Sequence, residues 1–340
     1  MLVGILTGGL VYAARARRAS AADAPEELLE LAPADSVLIA YIDLAALRNS
    51  PLMEQFAAMG QPAHVDKDYA DFVSGTGFDY QRDLDRVLIT SQSGAPSGDT
   101  LIFAEGRFDR EKIERYALHS GKQESRNGHS FYEVPLAAPG KSLRFAFLGG
   151  NRMALSNSGD LSAAFSPASA SALDPGMRDR LSRVSGAPVF AEVKASVYVD
   201  GPGGPAGGAP GAGPLGATKG ANPLTAPFAS LQWISLAARP DGNQVILSLE
   251  GECKRPEDAQ SVAGALQFLR GILRSTLANP KSLGNMPPES AAAAGKLIDA
   301  MSISTEASRV RLLVSLTPDM FHLAPPAQHG QPAQLAPAAN

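Results

Sequence analysis

The chain is poor in cysteine, in aromatic residues, in charge of one dominant sign and in long apolar runs. Its 340 residues contain a single cysteine, Cys253. That excludes an intramolecular disulfide and any cysteine-built zinc or iron–sulfur cage. Redox chemistry therefore leaves the compartment open, and Cys253 lies too far from the start to be the lipid-bearing first residue of a mature lipoprotein. Aromatics make up 6% of the chain, with Trp233 the only tryptophan, so a core must be built mainly from Ala, Leu, Val and Ile. The 30 Lys and Arg against 34 Asp and Glu leave a net charge of −4. Nucleic-acid-binding domains carry clustered basic excess, so no nucleic-acid partner is expected. With 44% hydrophobic and 19% charged residues, the chain is neither wholly disordered nor polytopic.

Chemistry-bearing motifs are also scarce. The histidines are His64, His119, His129, His322 and His329; they form no His-Glu-x-x-His or other close ligand pair, and each reads as solvated surface. His119 and His129 flank a turn expected over 121–128, which leaves an approach between them open. There is no nucleophile elbow and no Walker lysine, and Pro202 and Pro205 interrupt the glycine run that starts at Gly201. Asp66, Asp68 and Asp71 hint at a calcium loop, but Asp71 stands where that loop needs glycine and Gly77 where it needs glutamate. No metal and no cofactor is expected. Asp79, Asp83 and Asp85 around Arg82 and Arg86 read as a solvated charge cluster before a strand. Cys253 reads as a small core residue, and Trp233 as core rather than a ligand platform.

What is present begins with an address. Residues 2–14 are uncharged and are followed by Arg15, Arg17 and Arg18. As a helix they reach about 20 Å, short of the roughly 30 Å hydrocarbon layer. The segment reads as a signal-like stretch, a clipped membrane anchor or, less favourably because of Gly8-Gly9, a core helix. Ala19-Ser20-Ala21 has the small-x-small form of a cleavage site, while arginines after the span favour a cytoplasmic body. The Ala/Ser-rich spacer that follows points instead to an extracytoplasmic, periplasmic-side body tethered to the membrane.

Beyond the spacer, Val37–Leu44 is nearly continuously apolar and suits a strand buried on both faces. Helices are expected near 50–60 and 66–74. Strands at 87–91 and 100–105 follow, with a turn at Gly94, Pro96 and Gly98 between them. Asp109 caps a helix with Ile113 and Ala117 on one face, ending at Gly121. Strands are expected at 130–134, 143–148 and 153–156, then helices at 159–165 and 175–184 and a strand at 189–199. Residues 201–227 are dominated by Gly, Pro and Ala and read as a disordered insertion. Two more strands precede a long helix opened by Pro256, whose stripe Val262, Leu266, Leu269, Leu273 and Leu277 predicts one buried face. A helix at 289–301 and a hairpin formed by 302–307 and 310–316 follow. The tail, 319–340, reads as disordered. The 33 glycines and 26 prolines, about 17% of the chain against roughly 12% on average, are therefore a local excess.

Both halves run hairpin, helix, further strands. At an offset of 145, Thr100 to Gly106 lies over Val245 to Gly251, which aligns Glu105 with Glu250. The expected organisation is a leader, 1–31, followed by two related α+β units, 32–185 and 186–318, each an antiparallel sheet with helices on one face. The entry Ala32-Pro33-Ala34-Asp35-Ser36, the exit Glu105-Gly106-Arg107-Phe108-Asp109 and the start Pro256-Glu257-Asp258-Ala259 resemble the DUF3352-like group of bacterial exported proteins of unknown function. The resemblance spans roughly 32–318 and implies duplicated α+β units behind an N-terminal membrane segment, with no catalytic residues to transfer. Glu105, Glu250 and His119 are the candidate ligand-binding residues. Glu105 and Glu250 either line a cleft between the halves or support the helix that follows each strand. Three functions remain open: a non-enzymatic envelope interaction or scaffold module with a protein partner; a binder of an apolar small molecule or lipid between sheet and helices; and a hydrolase whose carboxylates converge only in the fold.

Overall fold

The computed structural model describes residues 27–48, 67–92, 100–136, 140–156, 161–165, 173–196, 226–279, 288–317 and 320. The segment 2–14, the helix expected at 50–60, the turn at 94–98, residues 201–225, the tail from 321, Asp66, His64, His322 and His329 lie outside them. The strands are β1 (Ser36–Asp43), β2 (Leu84–Gln92), β3 (Leu101–Gly106), β4 (Lys122–Arg126), β5 (His129–Pro135), β6 (Ser142–Phe147), β7 (Arg152–Ser156), β8 (Val189–Lys194), β9 (Leu231–Asp241), β10 (Gln244–Cys253), β11 (Met301–Glu306) and β12 (Arg309–Leu316). The helices are α1 (Leu44–Arg48), α2 (Lys67–Thr76), α3 (Tyr80–Asp83), α4 (Arg110–Ser120), α5 (Ser162–Phe165), α6 (Pro175–Val184), α7 (Pro256–Ala278) and α8 (Pro288–Asp299).

The twelve strands of the described residues join one antiparallel sheet, in the order β11-β12-β10-β9-β8-β1-β2-β3-β7-β6-β5-β4. The fold is α+β, and its two units share the sheet through the β1–β8 pair, where Ala40 faces Ala191. Outward from that seam the order is β1, β2, β3, β7, β6 on one side and β8, β9, β10, β12, β11 on the other, so the two units are related in strand order. The first unit adds β5 and β4 at its outer edge.

Local chemistry explains the elements. Asp109 Oδ1 accepts from the Lys112 backbone N–H at 3.2 Å, and Asp174 Oδ1 from that of Met177 at 3.0 Å; each cap satisfies an orphan donor at the start of α4 or α6. Pro256 at the first turn of α7, with Glu257 and Asp258 beside it, suits the helix dipole. Strand β4, Lys-Gln-Glu-Ser-Arg, lies inside the stretch expected as a turn. It is mostly exposed and has no apolar alternation for a sequence reading to find. Its charged residues fit an edge strand, which must resist pairing with another chain. Ala226 and Pro227, expected in the insertion, open a 3-10 turn that runs to Ser230.

The two faces of the sheet are covered differently. Ile39 and Tyr41 of β1, Leu88, Phe103, Ala154, Phe190 and Ala237 form one buried core with Met177, Leu181 and Val184 of α6, with Leu28 and Leu161. On the opposite face, Ile113 and Ala117 of α4 pack on Tyr132, Phe145 and Met153, while Ala259, Val262 and Ala263 of α7 pack on Cys253 and Val310. Thus α4 and α7, the helices after the third strand of each unit, share one face, and α6 takes the other.

Two expectations of burial need correction. Only the α6-facing side of β1 is buried; Leu38, Ala40 and Ile42 on its reverse are half-exposed. In α7 the stripe is buried at Val262, 1% exposed, but Leu273 is 51% exposed. The apolar period continues past the point where the packed partners stop.

Candidate functional site

The structure places Glu105 and Glu250 at corresponding points: each lies on the third strand of its unit, on the α6 face, and is followed by a glycine and then a helix. A Cβ at Gly106 would stand 2.3 Å from the Asp83 carbonyl oxygen, a backbone approach that holds glycine there, whereas one at Gly251 would stand 2.6 Å from Leu231 Cδ2, the end of a movable side chain. Four strands separate the carboxylates, about 24 Å at the usual spacing. They line no common cleft. His119 is exposed near the end of α4, on the other side of the sheet. His129 packs against Phe165 with the rings tilted, centroids 4.2 Å apart, on the α6 side, so these two histidines do not approach each other. The convergence that a hydrolase needs is not formed by Glu105, Glu250 and His119.

Each glutamate instead holds arginines. Glu105 accepts from Arg86 Nη1 at 2.8 Å and from Arg152 Nε at 3.1 Å. Arg86 thus belongs to a buried network rather than to the solvated cluster expected of it; its Nε stands 3.6 Å from Asp43. Burial and that carboxylate raise the Tyr41 phenol. Glu250 accepts from Arg311 through Nη2 at 2.7 Å and Nε at 3.1 Å, and Arg183 Nε lies 3.0 Å from its other oxygen. Glu252 takes Arg180 and Arg183, both at 3.2 Å. Arg180 also lies 4.2 Å over the Trp233 ring. A half-exposed Trp233 packed on the core supports this guanidinium, so it is both core and platform.

Sequence reading passed over Glu192, whose only signal is a carboxylate at an inward position of an alternating strand. It is 0% exposed, and Ser235 Oγ donates to its Oε2 at 2.8 Å. Burial pushes its pKa up to about 7, against a lowering by the Ser235 bond and by Arg180 and Arg183. Its Oε1 has no hydrogen-bond partner among the described residues. Cys253 is buried, and its thiol is raised by desolvation, the state of an inert core cysteine. No group of three metal-ligating side chains occurs among the described residues.

The reverse of the central sheet is chemically plainer. Leu38, Ala40 and Ile42 of β1 neighbour Val87 and Ile89 of β2. Across the seam stand Val189, Ala191 and Val193 of β8, then Ile234, Leu236 and Ala238 of β9. None of these side chains is charged, and Ser91 beside Leu38 is the polar member of the field. None is fully buried: all are half-exposed except Leu236, which with Leu249 of β10 is 37% exposed. Helix α4 bounds this aliphatic field on one side and α7 on the other. Four strands make it about 15–20 Å wide. Isolated exposed apolar residues are ordinary, but a contiguous field is the mark of an interaction or ligand-binding surface. On α7, Phe268 and Ile272 are 55% and 41% exposed and add apolar surface.

No family model matches the chain, and no curated protein matches it. Among solved structures it is similar to TP0453. Crystal form III of that protein has a TM-score of 0.48 at 9% identity, covering 86% of this chain and 94% of the other. Crystal form IV has a TM-score of 0.45 at 11% identity, covering 86% and 93%. No helix among the described residues is long and apolar enough to cross a membrane.

Proposed function

We propose that this chain is a non-catalytic binding protein that takes an acyl chain or similar apolar ligand on the aliphatic field of β1, β2, β8 and β9, between α4 and α7. The observation that carries the reading is the asymmetry of the central sheet. The α6 face of these strands, with Ile39, Tyr41, Leu88 and Phe190, is sealed, yet the aliphatic reverse is half-exposed. Apolar area left in water at the centre of a fold is stabilised by any ligand that removes it, by about 0.8 kcal/mol for each methylene fully buried. The apolar residues 2–14 and the arginines behind them fit this role as an address that keeps the body at the cell envelope.

A fluorescent fatty acid displaced by unlabelled saturated fatty acids of increasing length tests the proposal. Each added pair of methylenes is expected to tighten binding by up to about tenfold. Leu236→Lys with Leu249→Glu, a directly opposite cross-strand pair of opposite charge at positions 37% exposed, should weaken it by at least about tenfold while circular dichroism stays native, since each charge loses hydration under the ligand. Binding independent of chain length, or unchanged in the double variant, would overturn the reading.

A further inference from the structure

A cavity of about 190 Å³ lies on the α6 face of the second unit, walled by α6 and strands β9, β10 and β12. It is separate from the aliphatic field, with the sheet between them. One wall is apolar, with Ile246 and Leu313 among its side chains; the other carries Arg183, Arg239, Arg311 and Glu250. Three guanidinium groups therefore face one carboxylate. Arg239 pairs with no carboxylate among the described residues; its Nη2 donates to the carbonyls of Ser185 at 3.0 Å and Arg183 at 3.4 Å, at the end of α6. Glu250 Oε1 has Arg183 Nε at 3.0 Å and Arg309 Nη1 at 3.7 Å, yet no aligned hydrogen bond. That oxygen is closed off from the space, so Glu250, 6% exposed, holds Arg183 and Arg311 in the wall of the cavity rather than meeting a ligand itself.

We propose that this cavity binds a small oxyanion, a phosphomonoester or a carboxylate, that also carries a hydroxyl group. The oxyanion takes the guanidinium N–H groups of Arg239 and Arg311 that the Ser185 and Arg183 carbonyls and Glu250 Oε2 leave free, guanidinium being the group best matched to such anions. The hydroxyl pairs with Ser248, which also lines the cavity. Room for about six waters limits the ligand to the size of a substituted three-carbon acid or alcohol. The inference does not rest on the apolar-ligand reading and survives its failure, because no residue of the cavity belongs to the aliphatic field.

Trp233, the sole tryptophan, shares the sheet face of the cavity and is a native reporter. The full chain is titrated with glycerol 3-phosphate and, separately, with lactate, following Trp233 fluorescence and heat of binding; inorganic phosphate and acetate are the hydroxyl-free controls. At least one hydroxyl-bearing probe should saturate, about tenfold more tightly than its control, and the arm that does so assigns the head group. Arg239→Gln, and independently Leu313→Phe, which fills the cavity from its apolar wall, should each weaken that binding by about tenfold or more while circular dichroism stays native. If Arg239→Gln does not fold, Leu313→Phe decides alone. No saturation by either hydroxyl-bearing probe up to about 10 mM, or binding unchanged in a folded cavity variant, overturns the proposal.

Discussion

Glu192 shows how much one buried side chain can do without any catalytic partner. It faces Ser235 on β9, Arg180 and Arg183 on α6, and Glu250 on β10, with Ile39 across the seam. Its folded-state pKa of about 7 exceeds the ordinary 4.5, so the native protein holds this proton more tightly than the unfolded chain does. The resulting stabilisation is complete below about pH 4.5 and is lost as pH rises through about 7. Its size is about 3 kcal/mol. Glu192→Gln removes the titration and keeps the shape. Urea denaturation of both proteins between pH 5 and pH 8 should show the wild type falling relative to the variant across that window. Parallel pH profiles would refute this account of the residue.

At the scale of elements, α7 separates periodicity from burial. Its stripe has helical spacing from Val262 to Leu277, but only the first part meets the sheet. Val262→Ala should cost about 2 kcal/mol, the transfer of two methyl groups plus a cavity. Leu273→Gln, at a side chain already half in water, should stay within about 0.5 kcal/mol. Urea midpoints at constant slope check both values, and equal losses would mean that the whole stripe is packed. Strand β1 teaches the same distinction. Its apolar run predicted a strand, and there is one; the burial of both its faces was an inference about neighbours that the run itself does not contain.

At the scale of the molecule, the two units are joined by more than a chain crossing. Strands β1 and β8 pair through five residue positions, and one core holds Phe103 and Ala154 of the first unit with Phe190 and Ala237 of the second. Neither unit can open without exposing the other's seam. Calorimetry of the full chain should therefore give a single transition, with calorimetric and van't Hoff enthalpies in agreement. Two resolved transitions would show that the shared core is energetically secondary.

Local chemistry in the chain was enough to determine most of the elements, β4 excepted: the Asp109 cap, the Pro256 helix start and the apolar alternation of the hairpins each act within a few residues. It was also enough to put Glu105 and Glu250 on corresponding strands, because the same strand-to-helix exit recurs at both. The tertiary structure alone decided that four strands stand between those carboxylates, that β1 and β8 merge two sheets into one, and that a charge-free field is half-exposed on one side. Strand pairing and face coverage are contacts between residues remote in sequence. An aliphatic side chain reads the same whether a helix covers it or water does.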